Sequence, residues 1–423
     1  HQSMIVEAGS PVSSSTGSDN HTSFPGTVTI RGYFMVKICR CDTVDDDDCP
    51  CQPTVDKCAG EDCQTNGGNY VSRGVPYVKI EAWDDDVSVD DKIAETYANV
   101  NGYFQFESIG NSDEEGGTNE WYLKFILIGS RDGGASTLLH VQPDPDGGSN
   151  DNTPNIDSSY YGIWSIGNLP DGTVYGPYSL WFVDSRTPHI FYSIVKAFYW
   201  MDLHAYGWDM PHVSVFYGAG LPGISFTYSE QYEIYIGGRD GYDHAMDDDV
   251  MIHEYGHDVM YHFYGTRVRI DETCITAIEG CSGSCYCRNH GGPGNDCSCD
   301  GIEEGWANFV AAIVPEQWNL RNWATDRYVV TKDKLVYRDH ESNEIVHEYH
   351  EMTFARILWD IVDPDDDGES VQAPFEKGAD SNDYDRNPIW YEITRQTIGN
   401  QHSYQEEPYT CLLYTSPSPR DRT

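Results

Sequence analysis

Two stretches decide the first half of the fold: Val75–Asp86, VPYVKIEAWDDD, and Trp121–Ile128, WYLKFILI. Both are rich in β-branched and aromatic residues, and acidic or glycine-rich turns lie between them, which is typical of strands. A third run of this kind, Thr27–Lys37, precedes them. Because no long helical period interrupts residues 26–141, this region is predicted to be an all-β sandwich.

The same region resembles the transthyretin-like family. The similarity rests on the strand around Gly32, on Val75–Asp86, and on Ala98–Ser108, ANVNGYFQFES, in which Asn101-Gly102 forms the turn before an aromatic strand. The resemblance implies a β-sandwich fold and carries almost no information about chemistry. A cysteine-rich insert between the first strands departs from the family pattern.

The segments that flank the sandwich differ from it in composition. Residues 1–25 are rich in Ser and Thr and are predicted to be a flexible N-terminal arm, which could add a strand to a neighbouring molecule. Residues 142–186 are predicted to be an acidic linker rich in Gly and Asp. Residues 411–423 end in LLYTSPSPRDRT, which reads as translated sequencing adapter, so this tail is predicted to be non-native.

The overall charge restricts the classes of function. The chain has 423 residues with 26 Lys and Arg against 69 Asp and Glu, a formal net charge of −43. A protein this acidic repels phosphate backbones, so no nucleic-acid partner is expected. No apolar run approaches the roughly 20 residues of a spanning helix, so no transmembrane span is expected.

The cysteines indicate an oxidising compartment. Twelve of the 13 cysteines form one early and one late set of six, and Cys411 remains. We interpret both sets as disulfide-linked loops, with structural zinc as the alternative. A start at His1, without Met or signal peptide, and the Asn20 sequon favour a processed, secreted glycoprotein. The predicted disulfide cysteines are Cys39, Cys41, Cys49, Cys51, Cys58, Cys63, Cys274, Cys281, Cys285, Cys287, Cys297 and Cys299.

From about Thr187 the hydrophobic period becomes helical. Helices are predicted at Ile190–Asp202, Asp247–Tyr264, Glu303–Ile313 and Tyr349–Ile361. Residues 187–410 are therefore predicted to form a mainly α (α+β) domain, with the late cysteines in an insert at 274–299.

The strongest chemical signal is His253-Glu254-Tyr255-Gly256-His257, an H-E-x-x-H match. Residues i and i+4 lie on one face of a helix with Cβ atoms about 6 Å apart, so two imidazoles can bind one Zn²⁺. Glu254, one residue along, can take the proton of a zinc-bound water that attacks a carbonyl. A histidine pair within a packed core is the bland alternative.

HEYGH followed by Glu303–Phe309, EEGWANF, resembles the thermolysin and fungalysin type of gluzincin metallopeptidase. The resemblance implies a zincin-like domain whose third zinc ligand is Glu304, with Glu303 as fallback. It also implies an oxyanion-stabilising His347, with His350 and Tyr349 behind it. Asn308 stands one turn after Glu304, where the family often has an acid that orients a ligating histidine.

A second metal is predicted in an acidic loop. Asp363, Asp365 and Asp367 occupy positions 1, 3 and 5 before Gly368, the spacing of a calcium loop. No Glu follows at position 12, which excludes an EF-hand. The alternative is a solvated acidic turn.

The sequence therefore predicts a secreted zinc metalloendopeptidase that cleaves peptide or protein substrates. The alternative is an extracellular, fibre-forming glycoprotein that retains a metallopeptidase-like fold and polymerises through its N-terminal arm. A calcium-dependent carbohydrate-binding protein is a third, less supported reading.

Overall fold

A computed structural model describes residues 3–11, 26–40, 69–85, 90–112, 119–130, 137–143, 159–182, 186–204, 210–217, 225–237, 244–246, 248–264 and 298–317. Within these ranges there are thirteen strands, three α-helices and one 3-10 helix. The strands are β1 Ser3–Pro11, β2 Thr27–Arg40, β3 Asn69–Gly74, β4 Val78–Asp84, β5 Asp91–Tyr97, β6 Tyr103–Gly110, β7 Glu120–Gly129, β8 Leu139–Pro143, β9 Tyr161–Asn168, β10 Val174–Phe182, β11 Val213–Tyr217, β12 Phe226–Tyr228 and β13 Glu233–Ile236. The helices are α1 Arg186–His204, α2 Asp248–Tyr264 and α3 Ser298–Gln317, and the 3-10 helix is His244–Met246.

The chain divides into two compact units. Unit 1 comprises His1–Val195, Pro211–Phe226 and Gln231–Met251. Unit 2 comprises Lys196–Met210, Thr227–Glu230 and Ile252–Thr423. None of the described helices has the length and apolarity that a membrane span requires.

Unit 1 is built on two groups of strands whose buried aromatic residues face each other. In one group β2 pairs with β6 antiparallel and with β10 parallel, and in the other β7 pairs antiparallel with β4 and β9. The ring of Phe34 on β2 stacks on that of Phe125 on β7 at 4.8 Å, and Phe104 on β6 meets Phe125 edge-on at 5.6 Å. Because successive residues of a strand point to opposite faces, Phe104 and Phe106 are buried while Tyr103 and Gln105 are half-buried.

The turn before β6 depends on local polar contacts and on one glycine. The Oδ1 atom of Asn99 accepts hydrogen bonds from the backbone N–H groups of Asn101 at 2.9 Å and Tyr103 at 3.0 Å. Gly102 has a φ of 75°, and a Cβ there would lie 2.5 Å from the carbonyl oxygen of Phe34. Glycine is therefore required at this position both by conformation and by space.

The sheets extend beyond the region predicted as a sandwich. Residues 3–11, within the predicted arm, form β1, which pairs parallel with β9 and antiparallel with β10 of the same chain. Both β9 and β10 lie within the predicted linker 142–186. The segment as a whole has the Asp- and Gly-rich composition of a linker. Its last part, Tyr161–Trp164 and Val174–Phe182, has the alternating aromatic residues that are typical of strands.

The predicted fold class, an all-β sandwich followed by a mainly α zincin-like domain, is wrong. The described residues form mostly strand, in large mixed sheets with parallel and antiparallel pairs. Three strands, β11, β12 and β13, fall in the region predicted to be mainly helical, and β11 pairs parallel with β8 and β13. All five residues of β11 and all four of β13 are buried. A short strand that is buried on both faces shows neither strict alternation nor a helical period. The hydrophobic pattern of this region therefore predicts only its helices.

Candidate metal centre

Helix α2 presents two histidines on one face. His253 and His257 are one helical turn apart, and their rings meet edge-on with centroids 4.9 Å apart. The other side of the helix carries Met251, Ile252 and Val259, which are fully buried. Because the apolar side of the helix packs into the interior, the two imidazoles lie on the half-buried side.

Helix α3 approaches α2 closely at Gly256. A Cβ built on Gly256 would lie 2.9 Å from the Cα of Ala307 and 3.3 Å from the Cβ of Val310. The absence of a side chain on Gly256 and the small side chain of Ala307 therefore allow the two backbones to meet. This close approach brings Glu304, one turn before Asn308 on α3, against the histidine face of α2.

Three potential ligand atoms converge at this crossing. The Nε2 atom of His253 lies 3.0 Å from Oε2 of Glu304, and Nε2 of His257 lies 3.5 Å from Oε1 of the same carboxylate. The two Nε2 atoms are 3.2 Å apart. In the part of the chain that the structure describes, this is the single group of three or more His, Cys, Asp or Glu side chains that could hold a metal ion.

The spacing fits a small four-coordinate cation. Bonds of about 2.0–2.1 Å in a tetrahedral arrangement place neighbouring ligand atoms about 3.4 Å apart. The two Nε2 atoms are 3.2 Å apart, and their distances to the carboxylate, 3.0 Å to Oε2 from His253 and 3.5 Å to Oε1 from His257, are close to that value. His253, His257 and Glu304 therefore form a candidate metal site without a change of backbone.

The side chains of the cluster shift one another's pKa values. Burial disfavours the charged form of His257, but the carboxylate of Glu304, with Glu254 and Glu303, outweighs it and raises the pKa of His257 to about 10. Burial alone would raise the pKa of Glu304, but the charges and hydrogen bonds of His257 and His253 hold it well below its usual range. Both shifts have the same cause, the attraction between the carboxylate of Glu304 and the imidazoles next to it.

Asn308 fixes the orientation of the first histidine. Its Oδ1 atom lies 3.0 Å from Nδ1 of His253 and accepts the N–H of that ring. With the proton on Nδ1, the lone pair of His253 Nε2 points to the metal position. Asn308 is 2% exposed, so water competes little for this bond.

Glu254 lies on α2 between the two histidines and is 7% exposed. The hydroxyl of Thr227, on β12, donates to Oε2 of Glu254 at 2.8 Å and also lies 3.0 Å from the main-chain oxygen of Glu254. Thr227 is not among the residues that the sequence predicts for the site. Nothing in a three-residue strand 27 positions before Glu254 signals the contact, which depends on tertiary structure alone.

Several predicted site residues lie outside the described part of the chain. These include His347, with His350 and Tyr349, and the predicted calcium ligands Asp363, Asp365 and Asp367. Asn20 and ten of the twelve predicted disulfide cysteines also lie outside it. Only the backbone positions of Cys39, on β2, and Cys299, on α3, are described, and the disulfides, like the Asn20 glycan, stay predictions. Glu303, the fallback ligand, is half-buried and lies outside the three-residue group.

Comparisons with known proteins do not assign this chain to a family. No protein-family model matches the chain, and no curated protein matches it. Among solved structures, a 9R-lipoxygenase from Cyanothece PCC8801 aligns with 42% of this chain and 19% of its own, at 13% identity and a TM-score of 0.19. A similarity this slight carries no argument about fold or function.

Proposed function

We propose that the chain is a zinc-dependent peptidase, with His253, His257 and Glu304 as the metal ligands. The observation that carries the proposal is the convergence of the two Nε2 atoms, 3.2 Å apart, on the carboxylate of Glu304, whose Oε2 lies 3.0 Å from His253 and whose Oε1 lies 3.5 Å from His257. Two imidazoles and one carboxylate, in a four-coordinate geometry, are the donor set of catalytic zinc sites. When bound, zinc would supply a Lewis acid that polarises water and a carbonyl oxygen.

The remaining exposure of the three ligands supports a catalytic rather than a closed structural site. Their side chains are 15%, 17% and 11% exposed for His253, His257 and Glu304. Three protein ligands leave one position of a tetrahedral ion for solvent. The partial exposure of all three side chains is what solvent access to that fourth position requires.

Glu254 is assigned the role of general base. It is adjacent in sequence to the ligand His253, largely buried, and carries a carboxylate that contributes to the field on His257. In the proposed reaction Glu254 takes a proton from the attacking water and passes it to the departing amine. Asn308 holds His253 in the tautomer that binds metal.

The test is metal analysis and peptide hydrolysis on the full chain. Zinc should bind with a stoichiometry of one at this site, chelation should abolish hydrolysis of an unstructured protein substrate, and added zinc should restore it. Glu254→Gln keeps the size of the side chain and should retain zinc while lowering kcat by about 100-fold or more. Full activity of this variant with zinc bound would overturn the proposal.

The alternative of a fibre-forming glycoprotein receives less support from the backbone pairing. Residues Ser3–Ile5 pair with β9, and residues from Val6 onward pair with β10, of the same chain. Each part of the segment is therefore already paired along one edge within its own chain, which leaves fewer free backbone groups for a neighbouring molecule. Secretion and polymerisation stay predictions, which light scattering of the purified native protein would test.

A further inference from the structure

We propose that Thr227 is a positioning residue for the general base: its hydroxyl binds one carboxylate oxygen of Glu254 and leaves the other to accept the proton. The inference rests on the proposed function, since it assigns Glu254 the same role. It concerns a residue outside the HEYGH motif and outside the metal ligands.

The hydroxyl of Thr227 makes a direct hydrogen bond to the side-chain carboxylate of Glu254. The Thr227 hydroxyl lies 2.8 Å from Oε2 of Glu254, within the usual range for a hydrogen bond to an ionised acceptor. The main-chain oxygen of Glu254 lies at 3.0 Å from the same hydroxyl. A hydroxyl carries one hydrogen, so Thr227 donates to one of these two oxygens at a time. A carboxylate oxygen is a stronger acceptor than a main-chain oxygen, and it is also the nearer of the two.

A glutamate needs such a restraint because its side chain has three rotatable bonds. Glu254 is 7% exposed, so few waters remain to fix its orientation. A β-branched residue such as threonine has a restricted χ1 angle, and β12 holds its backbone. Thr227 thus presents a donor of fixed direction, which pre-organises the carboxylate before substrate arrives.

The alternative is that the hydroxyl only ties β12 to α2 through the main-chain oxygen. Such a purely structural tie would affect stability and would leave the carboxylate unaffected. The two roles therefore differ in the quantity that a substitution changes.

The experiment compares Thr227→Val, Thr227→Ser and wild type on the full zinc-loaded chain. Valine has the shape of threonine without the hydroxyl, whereas serine retains it. We expect Thr227→Val to lower kcat by about 10-fold or more with KM within about twofold and zinc content unchanged. Thr227→Ser should recover most of kcat. Thr96→Val, at a half-buried threonine of β5, is the matched control and should leave kcat unchanged.

A second readout does not depend on turnover. A peptide hydroxamate binds zinc through both oxygens and shares its acidic proton with a neighbouring carboxylate, so its affinity reports on Glu254. Calorimetry should show a loss of about 10-fold for Thr227→Val and for Glu254→Gln, and no further loss in the double variant, because the two act as one unit.

The outcomes separate this inference from the proposed function. Unchanged kcat in Thr227→Val, or additive losses of hydroxamate affinity, would overturn the role of Thr227 and leave the peptidase proposal standing. A zinc-loaded wild type without hydrolysis would overturn the peptidase proposal, and the hydroxamate series would then decide on Thr227. Absence of zinc binding would overturn both.

Discussion

Two buried asparagines, one in each unit, show how differently the same side chain is used. Asn111 in unit 1 and Asn308 in unit 2 are each 2% exposed. The Oδ1 atom of Asn111 accepts the indole N–H of Trp121 at 2.8 Å, and its Nδ2 donates to the Leu169 carbonyl oxygen at 2.8 Å and to Asp171 at 2.9 Å. The Oδ1 atom of Asn308 accepts the ring N–H of His253, whose other nitrogen faces Glu304 and His257.

The difference lies in what surrounds each amide. Around Asn111 every donor meets an acceptor, so the contacts stabilise the fold without any added group. Around His253 the lone pairs of two imidazoles and a carboxylate face one another, and only a proton or a cation makes that arrangement favourable. The two asparagines are therefore equally buried. The pairing of donors with acceptors around each of them distinguishes the structural polar cluster from the candidate functional one.

The largest effect should come from removing the one carboxylate among the three proposed ligands, His253, His257 and Glu304. Glu304→Gln should weaken zinc binding by more than about 100-fold, because even groups that only orient a ligand contribute 10- to 100-fold. A competition titration against a chromophoric chelator measures the change. Glu81→Gln in unit 1, a buried carboxylate 3.2 Å from Lys79, is the control and should not change zinc affinity. Equal zinc affinity of Glu304→Gln and wild type would remove the distinction between the two sites.

The next effect tests the close helix crossing in unit 2. Alanine in place of glycine within a helix usually stabilises by about 1 kcal/mol. At Gly256 the clash with the Ala307 backbone should reverse that sign and cost about 1–3 kcal/mol of unfolding free energy, with a loss of zinc affinity. Urea titration and metal titration measure the two. Gly110→Ala in unit 1, where nothing lies within 4 Å of the added Cβ, should be neutral or slightly stabilising. A stabilised, zinc-competent Gly256→Ala would contradict the packing argument.

Asn111→Ala should affect stability alone. It leaves the indole N–H of Trp121 buried without its acceptor, which costs about 1–3 kcal/mol. Thermal or urea unfolding should show this loss while zinc affinity stays at the wild-type value. A change in zinc affinity of the folded variant would show that the two polar clusters are not independent.

Asn308→Ala should show the converse pattern. Without the acceptor for its Nδ1 proton, His253 is free to turn, and zinc affinity should fall by about 10- to 100-fold. Asn308→Asp places a carboxylate at the same position and should strengthen zinc binding relative to wild type, because it increases the basicity of the imidazole. Equal zinc affinity in both variants would exclude an orienting role.

The last prediction concerns a histidine of unit 1 in acid. Burial lowers the pKa of His244 to about 4, below the value of about 6.5 in an unfolded chain. The unfolded state therefore binds more protons between these values, and the stabilising contribution of His244 is full above pH 6.5 and lost as the pH falls through 4. His244→Asn, which retains an acceptor for Ser225, should make the urea midpoint of the chain fall less steeply over this range. Parallel curves for the two proteins would contradict the shift.

Part of the candidate site could be predicted because its geometry is local. His253 and His257 stand at i and i+4, and any helix through them places both rings on one face. Glu304 followed only from a family resemblance, and Asn308 was named for its position one turn later. The contact of Thr227 with Glu254 could not be predicted, since a lone threonine carries no periodicity and no charge.

Less of the fold than of the candidate metal site could be predicted from the sequence. Strands β4, β6 and β7 lie within runs whose alternation or β-branched composition is distinctive. Strands β9 and β10 lie in a segment whose average composition is that of a linker, and β11 and β13 are buried on both faces. Composition averages over a window, whereas strand formation depends on which partner edge is available.

By itself the sequence determined the acidic character of the chain, its β-rich first half and the two imidazoles of HEYGH, because each depends on residues close together along the chain. Only the tertiary structure decided that β1, β9 and β10 belong to the sheets. It also decided that α3 packs closely against α2 at Gly256, and that Oε2 of Glu304 lies 3.0 Å from Nε2 of His253. Each of these features joins residues that are distant in sequence. The distances between such residues are set by the packing of the interior, which a local sequence pattern does not specify.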